Sequence, residues 1–508
     1  MNLKKTVAIA AAAGALTAVA LPAMAFENEF HGTSRLRYFI SNYENGGGGN
    51  PLAQVDAAKP LSGVGAVTGN RTDALRVNNY FEQRTRIFYT AKASDDLMLK
   101  TGFEIDSVFG DKAQSATTGA ATPAGTGRNM GGALESDTVN LETKWVYLQF
   151  KIPSTPVTVL AGIQPFKDSL KGIFADFDAA GIVTSTKLGG ATLNAGYFRG
   201  YDQSYFATAP RGMDNWQVGA IEGKFALSKD ANLAAVYYIL DDNRAIDGVA
   251  RAVYGTDFQA HVLGLAGDFK MGPLTLSGFG AYQGGIIKDY NLVTRGNAYL
   301  NAFAYNVAAK AAVGPGSLKT AFLFTSGNDN GDIRDGHLKG WVGTSQFQNN
   351  AWASTAGTST YNESGLFLLN RNAAAGTGTT DAAIVYNPGN GTNPTTMQGL
   401  YLLTMGYDAK LGSKAYFNTN LGFAWSARTN AIKPINLATG RQNNTNFMGT
   451  EVNMETGYKM YDNLTFSLQA AYVFLGNYYK GTSCYGSATA ARFPQDPYTL
   501  RTSLIFNY

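Results

Sequence analysis

The chain has 508 residues, among them 59 Gly, 28 Tyr and 29 Phe, with only 15% charged residues and a net charge of +4. A helical membrane protein of this length would be far more apolar and a nucleic-acid-binding protein far more basic, so both classes are excluded. The single cysteine, Cys484, cannot form an internal disulfide and lies in no CxxC or CxxCH motif, which removes disulfide scaffolds, redox pairs and covalent haem.

The first predicted element is an export signal. MNLKK supplies a basic start, Thr6 to Leu21 a small-residue apolar run, and Ala23-Met24-Ala25 a cleavage signature. Residues 1–25 are therefore predicted to be removed, leaving 26–508 as one domain; losing Lys4 and Lys5 takes the net charge from +4 to +2. No second apolar run near twenty residues follows.

From there the chain reads as alternating strands, about eighteen, with sixteen kept open because Gly181 to Leu188 and Leu274 to Tyr282 alternate poorly. Short links recur between them: Ser94-Asp95-Asp96, Pro153-Ser154-Thr155, Gly189-Gly190, Ser228 to Asn232, Gly272-Pro273, Gly314-Pro315-Gly316, Gly412-Ser413-Lys414 and Tyr461-Asp462-Asn463. Each predicts a tight hairpin. Longer polar links interleave with them, notably Ser41 to Ala74, Val108 to Asp137, Gly327 to Thr396, Arg428 to Phe447 and Gly476 to Pro497. The last eleven residues, YTLRTSLIFNY, alternate strictly and end on an aromatic. Together these predict an all-β fold, a transmembrane antiparallel up-and-down barrel with short periplasmic turns and long extracellular loops, both termini periplasmic. A soluble sandwich or propeller also has alternating strands, but not this signal, terminus and turn asymmetry together.

Placing the apolar parity outward assigns the charges to the interior, because a charge facing lipid at mid-depth costs roughly 2–4 kcal/mol. The first four strands then turn Arg35, Arg37, Glu82, Arg84, Arg86, Lys100, Glu104, Asp106, Glu142 and Lys144 inward. Barrel closure adds Glu451, Glu455, Lys459 and Arg501 to the same wall. These charges line a pore, pair across strands, or do both. The far wall, with Asn194, Asn306, Gln398 and Asn418 among many Gly and Ala, is expected to be small and weakly charged. So wide a barrel needs narrowing. Pro165 to Gly181 is the candidate, with Phe166, Ile173, Phe174 and Phe177 to seat it and Lys167, Asp168, Lys171, Asp176 and Asp178 to face solvent; a loop tucked over the rim or into a subunit contact is the alternative.

The signal peptide, strand-turn-strand-loop rhythm, inward Arg rows and terminal aromatic strand resemble Gram-negative outer-membrane porins over essentially the whole mature chain. Segments such as QRTR and GIQPF are similar to those of the OmpJ-like porins of metal-reducing bacteria. The resemblance implies passive diffusion of small hydrophilic solutes through a barrel set in lipid and lipopolysaccharide, commonly a homotrimer with an inward third loop, and no cofactor. The chain departs from that pattern in Gly327 to Thr396, long enough to be the lid itself. A substrate-specific or gated channel, a sheath for an electron-transfer cytochrome, and an adhesin acting through long loops stay open as alternatives.

Other signals are weak. Asp329, Asp332 and Asp335 offer oxygen ligands for calcium, but the spacing fails the EF-hand pattern and a solvated Asx-turn loop competes. Gly314 to Thr320 has the wrong spacing for a phosphate loop. His31, His261 and His337 fall on different elements with no HExxH or GxSxG motif, so no enzyme is predicted.

Overall fold

The computed structural model describes residues 27–42, 78–109, 141–202, 215–243, 257–290, 296–344, 365–369, 397–430, 433, 435–482 and 495–508. The predicted export signal at 1–25 lies outside these residues, as does the side chain of Asp106.

Alternation carried through to hydrogen bonding produces a single closed sheet of eighteen long strands. The first nine are β1 (Glu27–Ser41), β2 (Asn78–Ser94), β3 (Leu97–Val108), β4 (Glu142–Lys151), β5 (Val157–Lys167), β6 (Asp176–Leu188), β7 (Ala191–Asp202), β8 (Asn215–Ser228) and β9 (Ala231–Asp242). The rest are β10 (Asp257–Met271), β11 (Leu274–Tyr290), β12 (Gly296–Val313), β13 (Gly316–Thr325), β14 (Leu400–Leu411), β15 (Ala415–Ser426), β16 (Phe447–Tyr461), β17 (Leu464–Leu475) and β18 (Tyr498–Asn507). Each pairs antiparallel with the next, and β18 returns to β1 in register from Thr33↔Asn507 to Ser41↔Thr499. No sheet edge is left at the seam, which a hydrocarbon environment requires. There the Gly32 N–H donates to the Tyr508 carbonyl at 2.8 Å and the Tyr508 N–H to the Gly32 carbonyl at 3.1 Å. A Cβ on Gly32 would run into the Arg86 carbonyl and the Tyr508 ring, so the closure needs glycine there.

The eighteen strands agree with the sequence expectation, and the two poorly alternating segments are strands β6 and β11. All eight short links join hairpins at one end of the barrel, and the strand ends joined by the other nine connections are at the opposite end. Outward side chains are apolar and open to the surroundings: Ile182, Leu263, Leu265, Phe303, Val307 and Phe474 are all more than half exposed. Outward aromatics touch across strands, as in Tyr282–Phe303 (5.2 Å between centroids) and the run Tyr305–Phe324–Tyr401 (5.0 and 4.9 Å). Water would not tolerate so continuous an apolar exterior, and lipid would.

The buried apolar core lies inside the barrel. The inward faces of β8 to β12 carry Val218, Ala220, Val236, Leu240, Val262, Ala281, Ala302 and Ala304. Leu170, Ile173 and Phe174 of the third loop (168–175) and Trp341 and Val342 of the seventh (326–399) belong to the same buried cluster. A barrel of this circumference cannot be filled by wall side chains alone, and here loops fill it.

Candidate functional site: a charged wall facing infolded loops

Strands β16, β18, β1, β2 and β3 bring the predicted charges onto one continuous inward face. Arg84 sits 3.2 Å from the Glu104 carboxylate, which also accepts the Arg86 Nε–H, so one acid is held between two guanidiniums. Glu104 is almost buried at 6% side-chain exposure, whereas Arg84 and Arg86 keep 15% and 34%. Arg35 and Glu82 lie 3.6 Å apart, and Arg37 donates to the Ser503 hydroxyl at 3.3 Å. Lys100 and Glu142 are half-buried on the same face, Glu455 accepts the Tyr416 hydroxyl at 2.6 Å, and Lys459 is exposed toward the turn end.

Arg37 and Glu82 are buried, which corrects the expectation that they line an open pore, and the same holds for Glu451 and Arg501, which are fully buried. The seventh loop covers the latter pair. The N–H groups of Phe367, Leu368 and Leu369 donate to the Glu451 carboxylate at 2.7, 3.0 and 2.6 Å. The Gly365 carbonyl accepts from Asn420 and Asn453, at 3.1 and 3.0 Å. The Arg501 guanidinium lies between two rings, 5.5 Å from that of Phe39 and 5.3 Å from that of Phe367. Stacking of this kind suits a delocalised cation withdrawn from water.

The third loop turns inward, but it is shorter than the predicted 165–181. Cross-strand pairing reaches Lys167↔Asp176, and that pair closes as an ion pair at 3.0 Å. Lys167 and Asp176 are therefore strand residues, not constriction residues. Asp178 is also on β6, and its carboxylate accepts from Lys144 Nζ and Trp145 Nε1, each at 2.7 Å. The β3–β4 register shift near Gly102 and Phe103 disturbs the simple parity that separated Lys144 from Trp145.

Within the tip itself, Asp168 is buried and accepts the N–H groups of Gly172 (2.7 Å), Phe174 (2.8 Å) and Ala175 (2.5 Å). It folds the loop and does not face solvent. Burial pushes its carboxyl up to about 6 against the pull of those donors. Ser169 donates its N–H and hydroxyl to Glu222 at 3.1 and 2.8 Å, and Tyr238 donates to the same oxygen at 2.7 Å. Lys171 reaches β11 and β12, donating to Ser277 at 3.0 Å and to Asn306 at 2.8 Å. The tip thus spans from β5 to β12 across the interior. Above it, Trp341 Nε1 donates to the Ile173 carbonyl at 3.2 Å, and Gln283 clasps Val342 through both its backbone groups at 2.8 and 2.9 Å.

The calcium candidates are otherwise employed. Asp329 caps the short helix Asn330–Asp335, exchanging hydrogen bonds with Asp332 at 2.9 and 3.1 Å; Asp332 pairs with Lys339 and Asp335 with Arg334. Among the described residues no three acidic, His or Cys groups gather in a way that would hold a metal.

Glu222, Tyr238, Trp341 and the Gly365–Leu369 segment do not stand out in the sequence. Glu222 carries one usable signal, an acid on an inward face that also bears Trp216, Val218, Ala220 and its ion-pair partner Lys224. The loop segment carries none, because its partners are 55 to 88 residues away.

A closed, apolar-skinned barrel with a charged interior wall has the architecture of a membrane-spanning β-barrel. No family model and no curated protein matches the chain. Among solved structures it resembles Pseudomonas aeruginosa OpdK with vanillate (9% identity, TM-score 0.47, 94% of this chain and 98% of that one), P. aeruginosa OccK8 (OprE) (12%, 0.47, 94% and 98%) and Acinetobacter baumannii OccAB2 (10%, 0.48, 95% and 98%). A likeness this distant assigns neither a family nor a substrate.

Proposed function

We propose that the protein is a porin of the Gram-negative outer membrane that lets small hydrophilic solutes and ions diffuse passively, anions more readily than cations. One observation carries this reading: at the charged wall Arg84 and Arg86 keep exposure while Glu104, the acid between them, is hidden. A solute moving along that wall meets guanidinium groups, and rows of fixed charge set which ions enter a pore. The turn end then faces the periplasm, the loop end the exterior, and export after cleavage before Phe26 delivers the chain. A homotrimer in lipid and lipopolysaccharide, and kinship with the OmpJ-like porins, belong to the same proposal.

A second reading, a solute-selective channel, is supported by the two infolded loops, which leave less of the interior open than eighteen bare strands would. Swelling of liposomes containing the purified protein separates the two. Rates that fall smoothly with solute size indicate general diffusion, entry of one chemical class far ahead of others of equal size indicates selectivity, and absence of swelling contradicts both. Sequencing the N-terminus of the membrane-extracted protein tests cleavage before Phe26, and mobility of unheated samples in detergent gels tests the trimer.

A further inference from the structure

We propose that Gly365–Leu369 is a releasable occlusion of the charged wall and that Glu451 is the catch that holds it. This inference rests on the channel reading for its consequence, though not for its geometry.

A loop segment resting on the wall of a barrel would normally be expected to touch it through side chains. Here the wall grips the backbone. The three consecutive N–H groups of Phe367, Leu368 and Leu369 converge on one fully buried carboxylate, while Asn420 and Asn453 hold the carbonyl of Gly365. Asn453 also donates to Glu451 at 2.8 Å, so the two grips form one unit on β16. Concentrating three hydrogen bonds on a single side chain makes the attachment depend on one acceptor, whose loss leaves three buried N–H groups without a partner.

The side chains of the segment fit the same place. Leu366 occupies a notch left by Gly422 on β15, where any Cβ would collide with it. Phe367 covers the Arg501 guanidinium. Removing the segment would therefore expose a cation on the wall that solutes are proposed to follow. The described hydrogen bonds holding its backbone come from β15 and β16. Three of those bonds end on the one Glu451 side chain, so a change at that single acceptor shifts the population between held and released.

Two substitutions release it by different means. Glu451→Gln keeps the shape and turns an NH₂ donor toward N–H groups that need an acceptor. Gly422→Val leaves every polar contact intact and fills the Leu366 notch. The reporter is Leu368→Cys in a Cys484→Ser background, with Leu368 fully buried in the held position. We expect a membrane-impermeant maleimide to label the reporter thiol at least ten-fold faster in either variant than in the parent, with heat-modifiable gel mobility confirming that the barrel is folded. Equal labelling rates in folded parent and both variants would overturn the proposal. Conductance of the same proteins separates this from the channel reading. Faster labelling with larger conductance supports both, and faster labelling in a protein that never conducts supports the catch and contradicts the channel.

Discussion

At the scale of single residues, the charges inside the barrel do two different jobs that sequence parity could not separate. Asp168 and Glu451 both serve as acceptors for three backbone N–H groups and so organise loops, whereas Arg84 and Arg86 stay partly exposed around Glu104. Parity tells which side of the sheet a charge is on, and all of the charges on β1, β2, β16 and β18 named above obey it. Whether such a charge meets water depends on loops whose position no local pattern encodes. For Asp168 the consequence is measurable. Its carboxyl rises from 3.8 to about 6 on folding, so the stability it contributes is fully present below pH 3.8 and is lost as pH rises through 6. The shift corresponds to about 3 kcal/mol. Urea unfolding in lipid vesicles should show stability falling across that window in the parent and a flatter profile in Asp168→Asn; identical slopes would remove Asp168 as the cause. Glu104→Gln leaves two guanidiniums facing each other without their acid. We expect a loss of about 1–3 kcal/mol, below the value for a fully buried pair because Arg86 is one-third exposed, measured in the same unfolding assay.

At the scale of elements, the strands are legible in the sequence and the infolded loops are not. β16, β17 and β18 announce themselves by strict alternation with three or more outward apolar residues each, and every short turn is marked by its Gly, Pro, Asp or Asn. β6 and β11 are weak for a reason the structure makes plain. Their inward residues, among them Val183, Phe279 and Ala281, face the apolar core that the loops bring in, and β11 also places Gly278 and Gly280 along one parity. With small or apolar residues on both faces, a period of two is lost. The third loop shows itself through its phenylalanines but reads too long, because Lys167 and Asp176 look like loop charges although they pair across strands. The outward faces give the direct test of orientation. Leu263→Arg on β10, where the side chain points away from the barrel, should cost roughly 2–4 kcal/mol in vesicle unfolding if it meets lipid at mid-depth. A change under about 0.5 kcal/mol, typical of an exposed surface site, would say that this face meets water.

At the scale of the whole molecule, the number and order of the strands follow from patterns spread evenly along the chain, while the interior depends on contacts between distant segments. Trp341 meets Ile173 across 168 residues, and Phe367 meets Glu451 across 84. Eighteen strands provide the width, the third and seventh loops take up part of it, the seventh reaching Glu451 and Arg501, and the wall from β16 through β3 supplies the charge. On this account the passage runs beside Arg84 and Arg86. The most direct test is single-channel recording of the folded protein in a planar bilayer with a salt gradient across it. The account predicts stable ohmic steps whose reversal potential shows anion preference, a preference that shrinks when Arg84 and Arg86 are both changed to Gln. Silence from correctly folded protein, or a cation preference unaltered by those substitutions, would contradict it.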